Sequence, residues 1–309
     1  MMNISFLVPA HNEQENIEKC LDNIEVYKRK GDEIIVGLDA CTDDTKEIVQ
    51  RYSDVKFIES KNKLGKHGIL NRLVEKASGE IIIVHDADWL LSGEKSLDSL
   101  VDSFKDKKVG GIANSWSMTF ENWKKSRGVA YMGDAWSDYF LMKFKKKYYT
   151  KRENGILYVD IDKMYFPFFL NIIRKKLITK AMTSADDLER VFDIVRKGYK
   201  IVILEDIEIP HHVVIYKHIS LARLYKQKLR GHLARKQIRH SFKYSTSTKN
   251  FYLPMTIFII KGMLEIHSIH MIFSILTWIL VTFLSYAHAL VLWGIKPMST
   301  EKLWEIRMR

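Results

Sequence analysis

Apolar positions in the first ninety residues follow two alternating patterns. Short runs rich in Ile and Val, at residues 4–8, 33–38, 55–59 and 80–85, are separated by stretches at 13–27, 43–52 and 66–77 in which apolar residues recur with helical spacing. Strands joined by helices of this length predict a parallel sheet, since parallel neighbours need a long crossover and a helix is the usual one. Beyond residue 107 the regularity fades into Gly110-Gly111, an aromatic and basic stretch at 116–152 and the apolar run FPFFLNIIRKKL at 166–177. Helical spacing returns at Ser184 and runs to Lys197, where Gly198 ends it, and a strand is predicted at 199–204.

Two apolar segments lie near the other end. Residues 271–294 contain no Asp, Glu, Lys or Arg. As a helix rising ~1.5 Å per residue they would exceed the ~30 Å hydrocarbon core of a bilayer, which predicts a transmembrane helix. Residues 251–264 are apolar but shorter and interrupted by Lys261, which suits either an interfacial helix or the first half of a hairpin. Lys296, Lys302, Arg307 and Arg309 follow the long segment, and basic flanks on both sides favour the hairpin with both ends in the cytoplasm. The expected organisation is a globular α/β domain at 1–235, a basic juxtamembrane segment at 236–270, the membrane helix at 271–294 and a short tail at 295–309. The opening residues MMNISFLVPAHNE lack the basic and apolar regions of a signal or transit peptide, so the globular part is expected to face the cytoplasm.

Charge narrows the choice of partners. With 49 Lys+Arg against 37 Asp+Glu the chain carries +12, which favours anionic company. No acid occurs from 209 to 264, while 217–249 holds ten Lys or Arg, so this span is expected to meet phosphates, membrane lipids first because of its position. No recognition-helix or RNA-binding motif is present, and nucleic acid is not expected as a partner. Cys20 and Cys41 are the two cysteines, too few for a disulfide framework and suited to a reducing compartment.

Polar residues collect where the predicted strands end: Asn12 and Glu13 after the first, Asp39 after the second, Asp86 and Asp88 after the fourth. Parallel sheets bind ligands beyond the carboxyl ends of their strands, so these loops are expected to share one crevice. In GEIIIVHDADWLL, at 79–91, two carboxylates follow a core strand directly. Such a pair offers hard oxygen ligands to Mg²⁺ or Mn²⁺, ions that usually keep substrate phosphates in their remaining positions. An exposed turn with Asp capping the next helix has the same pattern.

Taken in order, VPAHNE (8–13), LDACTDDT (38–45), LGKHGILNRLVEKASGE (64–80), HDAD (85–88) and ADDLERVFDIVRKGYKI (185–201) resemble the motifs of family-2 glycosyltransferases over roughly residues 3–235. The resemblance implies a GT-A fold, a Rossmann-like, mostly parallel mixed sheet with flanking helices, here followed by the C-terminal membrane helix or hairpin. It implies that Pro9, Ala10 and Glu13 form the first nucleotide-contacting loop, that Asp39 meets the base, that Lys66 lies near the diphosphate and that Asp86 faces the ribose. It implies Asp88 as metal ligand, with His211 or, preferred, His212 completing the shell of Mn²⁺ or Mg²⁺, and Gln227 with Arg230 at the diphosphate. Asp187, second of the pair Asp186-Asp187, then corresponds to the general base, although Ser184 with Asp187 also fits a helix-capping pair. Gly231 after Arg230 departs from the Trp of processive synthases and counts against a processive polymerase.

The activity this implies is metal-dependent, inverting transfer of a sugar from a nucleotide-sugar, UDP-linked by preference, to a hydroxyl of a membrane-associated or lipid-linked glycan. The apolar run at 166–177 is expected to help present that acceptor at the bilayer. Transfer to a polyprenyl phosphate, which needs no base, is the alternative acceptor chemistry. A nucleotidyltransferase and a non-catalytic, membrane-anchored nucleotide-binding adaptor are the alternatives from other classes.

Overall fold

The structure, a computed structural model, describes residues 2–113, 128–148, 150–153, 156–160, 170–181, 186–214, 219–242, 257–258, 260–263 and 268–295. Contacts divide the chain into two compact units, one formed by Met1–Ser115, Lys151–Met182 and Asp186–Ile215, the other by Trp116–Thr150, Thr183–Ala185 and Tyr216–Arg309.

The first unit begins with the predicted alternation: β1 (Ile4–Ala10), α1 (Ile17–Tyr27), β2 (Glu33–Asp39), α2 (Thr45–Val49), β3 (Val55–Ser60), α3 (Gly65–Lys76) and β4 (Ile81–Val84). β5 (Trp89–Ser92), α4 (Leu97–Val101) and β6 (Val109–Ala113) follow. The sheet is completed by β7 (Thr150–Glu153), β8 (Ile156–Val159), β9 (Leu170–Arg174) and, after helix α6 (Asp186–Arg196), β10 (Lys200–Ile203). Its order is β3-β2-β1-β4-β9-β6-β10-β8-β7, and β11 (His211–Val214) pairs separately with β5. The pairs β3/β2, β2/β1, β1/β4 and β6/β10 are parallel, whereas β9 runs antiparallel between β4 and β6. The expected mixed, mostly parallel sheet is therefore present. The chain winds from β1 outward to β3 and returns on the other side of β1 as β4, so the direction of winding reverses beside β1, where such sheets open a crevice.

Helices on both faces explain the near-continuous apolar runs of β1, β2 and β4. Ile4, Phe6 and Val8 join the cluster that holds Ile17, Cys20, Leu21 and Ile24 of α1, while Leu7, Ile35, Ile82 and Val84 pack with Leu70 and Leu73 of α3. Gly37 in β2 lets α3 approach, since a Cβ there would lie 2.5 Å from Ile69 and 2.9 Å from Leu73.

The apolar run at 166–177 has a different use from the one its hydropathy suggested. Residues 166–169 lie outside the described part, but Leu170–Arg174 is the central strand β9, with Leu170, Ile172 and Ile173 buried. Its apolar side chains are spent on the sheet core and are not a surface for a membrane acceptor.

The second unit contains α5 (Val129–Tyr148), α7 (Leu221–Phe242) and α8 (Ile269–Ile295). α7 runs through residue 235, so the boundary expected there falls inside a helix. α8 is long and apolar enough to cross a membrane by length and composition. Within 251–264 the described residues, 257–258 and 260–263, are helical, whereas 296–309 and the predicted helix start at Ser184 fall outside the described residues.

Candidate active site

The rim beyond β1, β2 and β4 is built from loops tied to one another. Asn12 and Ala40, with φ of 55° and 52°, take left-handed backbone that turns each chain sharply after its strand. Asn12 accepts the Thr42 amide at 2.8 Å, and Thr45 accepts the Glu13 amide at 2.8 Å. Glu13, half-buried, accepts a 2.6 Å hydrogen bond from the Asn16 side chain at the entry to α1. Pro9 and Ala10 end β1, with Ala10 buried.

Asp39, buried at the end of β2, accepts the amides of Leu64 at 2.6 Å and Gly65 at 2.8 Å with its two carboxylate oxygens. These are orphan donors at the start of α3, and a carboxylate there is favoured by the helix dipole as well. Asp39 thus sets the position of the first turn of α3, and with it Lys66. A nucleotide base would compete for the oxygen lone pairs that these two amides leave.

Lys66 lies 2.6 Å and 2.8 Å from the two oxygens of Asp86, the first carboxylate after β4. Its ammonium also stands 5.9 Å from the centre of the Trp89 ring. Burial alone would lower the Lys66 pKa, but Asp86 and Asp186 together raise it, so the ammonium stays charged. Asp186, in the first turn of α6, is buried and forms an ion pair with Arg190 one turn on. Burial would raise its pKa, but Arg190 and Lys66 outweigh that and lower it. Carboxylates from β4 and α6 therefore share the field of one ammonium carried by α3. Asp187 follows on the same helix turn and is half-exposed.

Asp88 is half-exposed and lies in the tight turn between β4 and β5. Burial pushes the Cys20 thiol of α1 up, and the negative charges of Asp88, Asp86 and Glu13 add to the shift. Beneath the turn, His85 and His212 are buried with ring centres 4.9 Å apart, and His212 is 5.1 Å from the Trp89 ring. The antiparallel pairing of β11 with β5, which sets His212 opposite Leu91, builds this cluster. Burial first, then His85, His211 and Lys66, hold His212 well below the ordinary histidine range, hence neutral.

Among the described residues no three His, Cys, Asp or Glu side chains gather closely enough to hold a metal by themselves. The donor set still suits Mg²⁺ or Mn²⁺, which are commonly bound by one or two carboxylates together with substrate phosphates. Asp88 supplies a hard, accessible oxygen, and the neutral imidazole of His212 is the form that ligation requires.

The first unit thus brings Glu13, Asp39, Lys66, Asp86 and Asp88 together at one rim, with Asp186 tied to them through Lys66. Gln227, exposed, and Arg230, half-exposed, lie three residues apart on α7 in the second unit. Sequence reasoning passed over Arg190 and Trp89. Arg190 sits four residues after Asp186, the spacing that makes helix ion pairs, and that signal was available.

The model of Glycosyl transferase family 2 matches residues 5–178, more than half of the chain. The chain belongs to that family. Among curated family-2 relatives, the poly-beta-1,6-N-acetyl-D-glucosamine synthase of Staphylococcus epidermidis is 29% identical over 115 residues, 36% of this chain and 28% of the relative. The matched region spans little more than a quarter of that protein's length. Among solved structures, the mannosyltransferase PcManGT of Pyrobaculum calidifontis, in complex with GDP-Man and Mn²⁺, superposes with a TM-score of 0.53 at 18% identity, covering 94% of this chain and 78% of that one. Glucosyl-3-phosphoglycerate synthase of Mycobacterium tuberculosis, in complex with Mn²⁺, UDP and its product, gives a TM-score of 0.51 at 16% identity, covering 80% and 82%. TarS of S. aureus gives 0.50 at 19% identity, covering 77% and 66%. At these identities the structural likeness establishes the fold, that of GT-A transferases.

Proposed function

We propose that this family-2 member transfers a sugar from a nucleotide-sugar, a UDP-sugar first, to a hydroxyl of a membrane-associated or lipid-linked glycan, inverting the anomeric carbon. The observation that carries the reading is the ammonium of Lys66, paired with Asp86 and within the field of Asp186, beside the Asp39-anchored start of α3. The amides of Leu64 and Gly65 are engaged by Asp39, so the group that would meet a diphosphate here is the Lys66 ammonium, a point cation that the diphosphate would draw from its pair with Asp86.

In this reading Asp86 and the Glu13 loop orient the nucleoside, and Lys66 meets the diphosphate. The half-exposed Asp187 takes the proton of the acceptor hydroxyl as its oxygen bonds to the anomeric carbon and the bond to the diphosphate oxygen breaks. A sugar hydroxyl is a weak nucleophile near neutral pH, and a positioned base is worth ~10²–10⁴-fold. Asp88, with His212, would hold the divalent cation, which when bound offsets charge developing on the leaving diphosphate. Gln227 and Arg230 are proposed diphosphate contacts from α7. The globular part is proposed to work on the cytoplasmic side of a membrane, held there by the C-terminal helices.

The test is release of nucleoside diphosphate from a panel of UDP- and GDP-sugars by the full chain in detergent with Mn²⁺ or Mg²⁺. Pyrophosphate release from a nucleoside triphosphate and a sugar 1-phosphate, with no diphosphate released from the nucleotide-sugars, would make it a nucleotidyltransferase, and binding without turnover an adaptor. The acid-free, basic α7 next to an apolar helix also suits a polyprenyl phosphate acceptor, and transfer that persists in Asp187→Asn would decide for that acceptor.

A further inference from the structure

α8 buries one stripe of its surface and exposes the opposite one. Met271, Ser274, Ile275, Ser285 and Ala289 are buried. They recur at helical spacing and contact two different helices in turn. Met271 and Ile275 pack with Trp136 and Phe140 of α5, and Ala289 packs with Leu229 and Leu233 of α7. At Gly133 of α5 a Cβ would collide with the Ser274 carbonyl, so the backbones of α5 and α8 nearly touch. Midway, Trp278 donates to Asp134 of α5 at 3.1 Å, and Asp134 also forms an ion pair with Lys228 of α7. The opposite face carries Phe273 at 61% exposure, Phe283 at 66% and Val291 at 60%, with Leu276, Leu280 and Leu284 between them also exposed.

A helix crossing a bilayer places about 20 residues in hydrocarbon. Every window of that length within Ile269–Ile295 contains both Trp278 and His288. Trp278 contacts the Asp134–Lys228 pair, and His288 accepts or donates a 2.8 Å hydrogen bond with Tyr225 of α7. A spanning α8 would therefore drag α7 into the hydrocarbon beside it. By sequence α7 carries seven Lys or Arg and no acid, and each such residue costs ~2.5–3.5 kcal/mol at the bilayer centre on the insertion scale. Lying flat removes that cost, since the exposed stripe alone enters the acyl boundary while α5 and α7 stay on the water side.

We propose that α8 is an in-plane anchor on an anionic leaflet, its Phe273–Val291 face sunk among the acyl chains and the exposed Arg223 and Arg235 of α7 flanking it at the level of the lipid phosphates. The occupant of the apolar face is lipid and not a second copy of the chain, because an unbroken cationic helix beside that face repels its own copy and attracts anionic headgroups. In this proposal the helix lies about 5–10 Å deep along its whole length, as the alternative to the span or hairpin that hydropathy predicts.

The test uses the full chain carrying Cys41→Ala, with Phe273→Cys, Leu280→Cys or Val291→Cys introduced one at a time and labelled with an environment-sensitive fluorophore. Each is bound to phosphatidylcholine vesicles containing phosphatidylglycerol and quenched by lipids brominated at graded depths. The expected result is the same shallow depth at all three sites, with binding lost when phosphatidylglycerol is omitted. A Leu280 label near the bilayer centre with the other two near opposite surfaces would overturn the proposal. So would labels shielded from every brominated lipid in a chain that sediments as a dimer. Leu280→Asp combined with Phe283→Asp should move the protein from vesicles to supernatant with its melting temperature unchanged. None of these readouts needs turnover, so they stand or fall apart from the proposed sugar transfer.

Discussion

The Lys66 ammonium sits 2.6 Å and 2.8 Å from the two oxygens of Asp86. The pair answers why two carboxylates follow the core strand β4. One is neutralised from α3, and the other, Asp88, is left half-exposed in the turn. Lys66→Ala would remove an ammonium whose charge acts on both Asp86 and Asp186, leaving Asp86 without its ion-pair partner while Asp186 keeps Arg190. Activity should fall by ~10²–10³-fold, the cost of losing one fixed electrostatic stabiliser, with Lys66→Arg restoring part of it. Initial rates of nucleoside diphosphate release measure this, and near-wild-type turnover in Lys66→Ala would remove Lys66 from the diphosphate site.

The adjacent acids of α6 should separate by phenotype. Asp186→Asn leaves Arg190 buried without its ion-pair partner, and breaking a buried pair by removing one side costs about 3–5 kcal/mol, so the melting temperature should drop clearly. Asp187→Asn should leave the melting temperature in place and lower kcat by ~10²–10⁴-fold at an unchanged donor KM. The reverse pattern, with Asp187 structural and Asp186 catalytic, would transfer the base to the buried residue.

The alternating first half was legible because each strand there is bounded by its own helix, so period and element coincide. The strand-end reading pointed to Glu13, Asp39, Asp86 and Asp88, which the sheet sets at the ends of adjacent strands, whereas Lys66 was pointed to by the family resemblance alone. Pattern reading failed at Leu170–Arg174, where β9 inserts antiparallel between β4 and β6. A fully buried strand and a membrane-facing segment have the same apolar composition, and only pairing partners distinguish them. Local pattern likewise gave no hint that β5 would pair with β11, which joins residues more than a hundred positions apart and builds the His85–Trp89–His212 cluster.

Asp39→Ala should expose how α3 is anchored. Two amides, those of Leu64 and Gly65, would lose their acceptor at a buried helix start, a loss of about 1–2 kcal/mol by analogy with helix caps. Because Lys66 is the next residue, donor KM should rise as well. Thermal melting and donor titration together test this. A loss of donor affinity without any loss of stability would assign Asp39 to the base alone.

Acid should weaken the fold in two successive windows. Burial pushes His85 down to about 4, against the smaller opposing pull of the Trp89 carbonyl and Asp86. Its neutral state therefore favours the folded chain fully above the ordinary histidine value of 6.5, and this contribution is lost as pH falls from there towards about 4, at up to ~1.4 kcal/mol per pH unit. Glu33 lies lower. Burial would raise it, but Lys56, Ser5 and Ser78 outweigh that and hold it at about 2, so its contribution is complete above 4.5 and fades as pH drops towards 2. Because Glu33 ties the start of β2 to Ser78 ahead of β4 and to Lys56 of β3, protonating it loosens three strands at once. The melting temperature should be level above about pH 7 and decline in both windows below it. Glu33→Gln should flatten only the lower window, and an unchanged acid slope in that variant would show that other carboxylates carry the acid sensitivity.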